Sequence, residues 1–373
     1  MKVIFCIPAI YASGGTERVV INKANYLVDV GYEVAIITTD QDGRQPFFDL
    51  DKRVKHYDIG INYYKNANRN LINKFYYYIH NRRIHRKRLG DLLQALQADI
   101  AVSLYMNEMS LLPYINDGSK KILEFHFSRP FFRINRRGGL KGLVDLLQEK
   151  KDISHIRRYD RFVVLTEEDK LNWPELNNVI VIHNASSLEG IHALNNRQED
   201  VIAVGRYTRQ KGFERLIDVW EKVATKVNLR IYGDGELKES LKEKIKDKKL
   251  DDRIILEPPT KDIKRVYENS ALLVMTSLYE GLPMVMIEAQ SCGVPIVSFD
   301  FPCGPKDIIN NGIDGFLVPD GDLDAMALKI EELLRNDDLR ATMGRCAKQN
   351  SSRFNLALIM NQWCELYSSI VKQ

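Results

Sequence analysis

Cysteine is scarce and scattered. Only Cys6, Cys292, Cys303, Cys346 and Cys364 occur in 373 residues, an odd number with no CxxC spacing. That pattern excludes a zinc knuckle and a disulfide framework. Long apolar runs are missing as well: stretches such as Ala271 to Met275 stop far short of the ~20 residues that span a bilayer. The opening strand, Val3 to Ile7, lacks the long apolar core of a secretory signal, so a cytoplasmic N-terminus is the expectation. No GxxxxGK[ST] phosphate loop occurs, and no helix-turn-helix, RNP or zinc-finger pattern, so nucleic acid is not an expected partner. What remains is ordinary globular material. The chain is 45% hydrophobic and 28% charged, enough for two cores at about one domain per 150 residues.

The formal net charge of +4 is unevenly spread. Residues 1–184 hold 28 Lys+Arg against 21 Asp+Glu, and the remainder 26 against 29. A basic first half points to an anionic partner such as phosphate or a membrane surface.

Short β-branched runs alternate with helical stretches throughout. The first series is Val3–Ile7, Val34–Ile37, Ile100–Leu104, Lys121–Phe125, Phe162–Leu165 and Val179–Ile182. A second begins near residue 200: Val201–Val204, Leu229–Tyr232, Ile254–Leu256, Leu272–Met275, Ile296–Ser298 and Phe316–Val318. Strands that are apolar throughout predict parallel sheets covered on both faces. The polar, Asn-rich stretch from Asn184 to Asp200 separates the series. The fold expected is α/β, two doubly wound Rossmann-like domains over residues 1–184 and 185–354, facing a central cleft. Ligands of such sheets bind beyond the carboxyl ends of the strands.

One segment breaks the rhythm. Asn70 to Leu96 mixes Phe75, Tyr76, Tyr77 and Tyr78 with Arg82, Arg83, Arg86, Lys87 and Arg88. It reads either as a solvated basic helix or as one lying on an anionic membrane or a lipid pyrophosphate. Arg133, Arg136 and Arg137 with Phe131 and Phe132 repeat that composition.

Four motifs carry the chemistry. Gly14-Gly15 follows the first strand and lets a ligand approach the backbone, with Thr16 placed to cap the next helix. Arg206 and Lys211 follow the first strand of the second series, where two cations can neutralise a diphosphate. Gly233 and Gly235 form a tight turn, but Lys238 stands where GxGxxG requires glycine, which weakens a redox reading. The densest signal is Glu280-Gly281-Leu282-Pro283-Met284 with Glu288 one helical turn further in. Two carboxylates at such a helix mouth can accept hydrogen bonds from sugar hydroxyls, and the free helix amides suit phosphate.

Together these motifs, G-R-x-x-x-x-K-G and E-G-L-P-x-x-x-x-E above all, resemble the retaining glycosyltransferases of family 4, with the GT-B fold, of the type that builds bacterial surface polysaccharides. The resemblance implies transfer of a sugar from a nucleotide-sugar, by default a UDP-sugar, to a polyprenyl-linked glycan acceptor beside an anionic membrane. It implies no cofactor and no required metal. Arg206 and Lys211 would bind the donor diphosphate, Glu288 the ribose and Glu280 the hydroxyls of the transferred sugar. The Gly14-Gly15 loop would close over the diphosphate, beside Gly233 and the Gly281-Leu282-Pro283-Met284 turn. His126, in EFH, would lie near sugar and acceptor in an acceptor-binding first domain. Residues 355–373 would form a helix crossing back to that domain. Ala185 and Pro258-Pro259 depart from the family pattern at the linker and at the loop beside the base. A sugar-nucleotide epimerase and a non-catalytic binding scaffold are the alternatives. Asp320, Asp322, Asp324 and Glu331 imitate a calcium loop, but Ala325 stands where its glycine belongs, so helix capping by Asp322 is expected instead.

Overall fold

The computed structural model describes residues 1–12, 14–66, 71–186, 188, 200–260 and 262–372. Most of the expected linker between Asn184 and Asp200 lies outside the described residues, as does the side chain of Phe75.

Thirteen strands are described, and they form two all-parallel sheets. The first contains β1 (Lys2–Ile7), β2 (Glu33–Thr38), β3 (Lys55–Asp58), β4 (Ile100–Ser103), β5 (Lys120–Glu124), β6 (Arg161–Val164) and β7 (Val179–Val181), in the order β3-β2-β1-β4-β5-β6-β7. The second contains β8 (Val201–Val204), β9 (Leu229–Tyr232), β10 (Ile254–Glu257), β11 (Leu272–Met275), β12 (Ile296–Asp300) and β13 (Gly315–Pro319), in the order β10-β9-β8-β11-β12-β13. Both are doubly wound, so the strand order reverses at β1/β4 and at β8/β11. β3 is absent from the strands read in the sequence. It is a four-residue edge strand, KHYD, whose partly exposed side chains give no apolar run.

The helices of the first half are α1 (Gly15–Asp29), α2 (Leu71–Leu96), α3 (Arg129–Ile134), α4 (Gly139–Ile156) and α5 (Glu167–Leu171). Those of the second are α6 (Phe213–Lys222), α7 (Lys238–Asp247), α8 (Ile263–Glu268), α9 (Met284–Ser291), α10 (Pro305–Ile308), α11 (Leu323–Arg335), α12 (Asp337–Ser351) and α13 (Leu356–Val371).

Each sheet is buried on both faces, as near-continuous Val/Ile/Leu strands require. On one face of the first sheet, Val20, Ile21, Ala24 and Leu27 of α1 meet Ile359, Met360, Trp363, Tyr367 and Ile370 of α13. The chain's last helix thus packs into the first sheet's core. On the other face, Leu89 and Leu93 of α2 and Ile156 of α4 cover Cys6, Ala101, Leu123 and Phe162. The two crossings between the halves run side by side, with the Ser186 amide donating to the Phe354 carbonyl at 2.8 Å.

Candidate active site

The carboxyl ends of β8 and β11 are neighbours because β8 pairs with β11. The loop after β8 makes a short 3₁₀ turn, Arg209–Lys211, and stops at Gly212. The Lys211 side chain lies back over Gly205, and its Nζ reaches Glu280 Oε1 at 2.6 Å. Glu280 sits in the loop after β11 and is buried. Its Oε1 also accepts from Ser277 Oγ at 2.8 Å, and its Oε2 from Gln210 Nε2 at 3.2 Å. The carboxylate is therefore fixed by one cation and two neutral donors, from the loops after β8 and β11. Arg206 is exposed at the start of the first of these loops. Gly233 makes room for it: a Cβ there would sit 1.9 Å from the Gly205 carbonyl oxygen.

The chain then turns through Gly281, Leu282 and Pro283 into α9, which begins at Met284. Glu288 is buried one turn inside that helix. Its Oε2 accepts from Tyr267 Oη at 3.1 Å, while its Oε1 takes Arg18 Nη1 at 3.0 Å. Arg18 belongs to α1, so this ion pair bridges the two halves of the molecule. Burial pushes the Glu288 carboxyl above its ordinary pKa, and the Arg18 charge and the Tyr267 hydrogen bond oppose the rise.

The facing wall comes from the first domain. Gly14 and Gly15 lie where β1 gives way to α1, and the Glu17 carboxylate folds back against Gly14. Burial raises the Glu17 pKa, and the charges of Arg206 and His126 pull against that rise. Arg206 therefore acts across the cleft. β5 ends at Glu124, whose Oε2 accepts from Lys23 Nζ at 2.6 Å and pairs with His126 Nε2 at 3.1 Å. Lys23 in turn lies 3.5 Å over the Trp363 ring of α13. Burial favours the neutral carboxyl of Glu124, but Lys23 and His126 outweigh it and hold the pKa below its usual value. The two walls meet at Gly281, where a Cβ would stand 2.5 Å from the His126 carbonyl oxygen.

The fold thus gathers Arg206, Lys211, Glu280, Glu288, His126, the Gly14-Gly15 loop and the Gly281–Met284 turn around one cleft. The cations of α2 do not join them. Arg82 donates to Ser110 Oγ at 2.9 Å, and Arg88 to the Ile59 carbonyl at 2.6 Å, while Arg83, Arg86 and Lys87 are exposed. Two of those five side chains are thus tied to neighbouring loops, and Arg88 is exposed as well. Sequence reasoning missed Arg18, Lys23, Glu124, Gln210, Tyr267 and Ser277. Arg18, Gln210, Ser277 and Glu124 lay within or beside recognised motifs, whereas Tyr267 did not.

Among the described residues no group of three or more His, Cys, Asp or Glu is arranged to hold a metal ion. Asp320 and Asp324 pair with Arg215 and Lys222 at 2.8 and 2.7 Å. Asp322 caps α11 by accepting from the Ala325 amide at 3.0 Å.

Residues 186–350 match the family model described as glycosyl transferases group 1. An uncharacterized glycosyltransferase of Haemophilus influenzae is 32% identical over 97% of this chain and 98% of its own length. The amylovoran biosynthesis glycosyltransferase AmsD of Erwinia amylovora is 31% identical over 98% and 99%. A shorter match, 32% identical over 38% of each chain, is to an N-acetyl-D-galactosaminyltransferase of Campylobacter jejuni, whose name specifies a PP-undecaprenol-linked glycan acceptor. In fold the chain is similar to a variant of TarM from Staphylococcus aureus solved with fondaparinux, alpha-GlcNAc-glycerol and UDP. That likeness has TM-score 0.77 and 19% identity, over 98% of this chain and 99% of that one. The two facing Rossmann-like sheets are the GT-B arrangement. The chain belongs to the group 1 glycosyl transferases and is a glycosyltransferase.

Proposed function

We propose that this enzyme is a retaining, metal-independent transferase of family 4. It moves a sugar from a nucleotide-sugar, by default a UDP-sugar, to a lipid-linked glycan during surface polysaccharide assembly. The observation that carries the reading is the Lys211–Glu280 pair at 2.6 Å, with Arg206 on the same loop, at the point where the second sheet's strand order reverses. Cations and hydroxyl acceptors are what a donor diphosphate and its sugar need. Cleaving the bond from the anomeric carbon to the diphosphate builds positive charge on the sugar ring and negative charge on the leaving oxygen. Lys211 and Arg206 stabilise the growing negative charge. Glu280 holds the sugar by accepting from its hydroxyls, and Glu288 accepts from the ribose. No protein nucleophile is assigned: the leaving phosphate takes the acceptor's proton.

The first domain, residues 1–184, then binds the acceptor, with residues 185–354 holding the donor and 355–373 tying the two. AmsD by name serves polysaccharide synthesis, and the Campylobacter relative by name uses a polyprenyl diphosphate acceptor, which supports that substrate class here. No helix among the described residues is long and apolar enough to cross a membrane. The reading therefore places the enzyme peripherally on the inner face of the plasma membrane, with exposed Arg83, Arg86 and Lys87 toward the anionic surface.

The test is incubation with UDP- and GDP-sugars, with and without membrane extract. Nucleotide release that depends on the extract, with sugar entering the lipid fraction, supports the reading. Conversion of donor alone to an isomeric sugar-nucleotide would mean an epimerase, and binding without turnover a scaffold.

A further inference from the structure

Helix α4 packs Ile153 and Ile156 onto the first sheet at its C-terminal end but exposes an apolar edge nearer its start. A helix covering a sheet normally puts its apolar stripe inward and its charges toward water. On α4 the acids Asp145 and Glu149 are held by arginines of the preceding segment. Asp145 accepts from the Arg137 amide and from its Nε, both at 3.1 Å. Glu149 accepts from Arg129 at 3.1 Å and from Arg136 at 2.8 Å. Meanwhile Leu143, Val144 and Leu147 are 55%, 59% and 59% exposed, and Ile134 just before them is 40% exposed. At about 100° per residue, Leu143, Val144, Leu147 and Lys151 share one side of the helix. The exposed charged residues of α4 are Lys141, Lys150 and Lys151. None of these lysines, nor exposed Arg133, forms an ion pair among the described residues.

Arginines from the preceding segment thus engage Asp145 and Glu149, while Asp152 accepts from Gln148 at 2.7 Å, so the charged side chains left exposed along the aliphatic edge are lysines. Residues 129–156 hold seven Lys+Arg against three Asp+Glu. α2 shares the same face of the first sheet. Burial lowers the pKa of His155 on α4, and the charges of Lys151 and of Arg82 on α2 lower it further. Helix α2 adds exposed Tyr76, Tyr78 and Ile79 beside Arg83, Arg86 and Lys87.

We propose that α4 is an interfacial helix that seats its Leu143–Val144–Leu147 edge in an anionic lipid surface, with the cations of α4 and α2 on the headgroups. An aliphatic edge flanked by lysines is the composition that lies in a membrane interface, the long side chains reaching up to phosphate while the leucines enter the acyl boundary. The absence of an exposed acid on α4 matches a negatively charged partner. The inference deepens the lipid-linked acceptor reading and rests on it. It assigns anchoring to α4, whose composition alone did not mark it as the membrane-facing element.

Co-sedimentation of the full-length protein with phosphatidylglycerol-rich vesicles and with pure phosphatidylcholine vesicles tests it. The wild type should bind the anionic vesicles, and the L143S/V144S/L147S variant should partition at least about tenfold less. Donor hydrolysis without acceptor should be unchanged in that variant, because none of these residues touches the cleft. Leu147→Trp supplies an independent probe, since Trp173, Trp220 and Trp363 are all buried and should not respond. Its emission should shift to the blue when anionic vesicles are added. Wild-type-like binding by the triple variant, or no shift from the new indole, overturns the proposal. So does loss of self-association in light scattering with vesicle binding intact, which would give the edge to a second copy. Sugar transfer to a soluble acceptor by a wild type that ignores vesicles would sink this inference and leave the transferase reading standing. Vesicle binding without any donor turnover would do the reverse.

Discussion

Replacing Lys211 by alanine should cost turnover more than donor affinity. In the bound donor the diphosphate is already charged, so Lys211 contributes to binding in the ground state. Its contribution grows as the leaving oxygen gains charge, and only that increment appears in kcat. By analogy with loss of one oxyanion donor, the fall should be roughly 10²–10³-fold, about 3–4 kcal/mol. The structure sets the stability cost separately. Lys211 is 17% exposed, and its removal leaves Glu280 with the Ser277 and Gln210 hydrogen bonds. The folded state should therefore lose about 1–2 kcal/mol, less than the ~3–5 kcal/mol of a fully buried pair broken on one side. Arg206→Ala should behave alike in turnover, and the double variant should lose less than the sum because both act on one diphosphate. The assay is kcat and KM for the donor at saturating acceptor, after circular dichroism confirms folding. Lys242, whose pair with Glu239 is exposed, is the control. A Lys211→Ala enzyme with kcat within a few-fold of wild type would refute the reasoning and remove this loop from the site.

Arg18→Ala should move the acid limb of the kcat/KM profile to higher pH, because the Arg18 charge opposes the burial that raises the Glu288 carboxyl; an unmoved limb would detach Arg18 from donor binding. Lys23→Met should destabilise the protein by about 3–5 kcal/mol in urea titration, with Glu124→Gln restoring part of the loss, because Glu124 is otherwise left buried without its cation. Glu108→Gln should stabilise. Burial raises the Glu108 carboxyl to about 7, and neither oxygen accepts a hydrogen bond among the described residues. His85, 3.8 Å away, is held at about 4 by burial and offers no counter-charge near neutrality. Against an unfolded value near 4.3, native Glu108 retains its proton where the unfolded chain has lost it. Its burden on stability therefore grows from pH ~4 to ~7, and the gain from glutamine should rise by about 2–3 kcal/mol between pH 5 and 8. A gain independent of pH would contradict this. Sugar transfer should survive EDTA; complete loss restored by magnesium or manganese would overturn the metal-independent reading.

The two sheets were legible because their central strands are short β-branched runs separated by helical spacing. β3 was not, since an edge strand half open to water needs no apolar pattern. In the site, residues that share a loop with glycine or proline stood out, and their partners did not. Lys211 and Glu280 lie 69 positions apart and meet only because β8 and β11 pair. Arg18 and Glu288 lie 270 positions apart and meet only across the cleft. Periodicity shows that α4 has two faces, but the partners of its acids, Arg129, Arg136 and Arg137, lie outside the helix. Apolar content alone would have put the leucines inside.

These partners share a physical role. Each deep carboxylate near the cleft already has a cation: Glu280 has Lys211, Glu288 has Arg18 and Glu124 has Lys23. A cleft lined by unpaired carboxylates would repel a nucleoside diphosphate and would bear the desolvation cost of each buried charge. Pairing removes both difficulties before the donor arrives. The pairs differ in what a donor can do to them. Lys23–Glu124 is sealed, with side chains 5% and 1% exposed, and orients His126 from behind. Lys211 and Arg18 are 17% and 32% exposed, so an arriving diphosphate and ribose can draw on the cation and the carboxylate of those pairs. On the donor-site reading, binding then exchanges protein–protein ion pairs for protein–ligand ones. On that reading the ribose takes the place of Arg18 on Glu288.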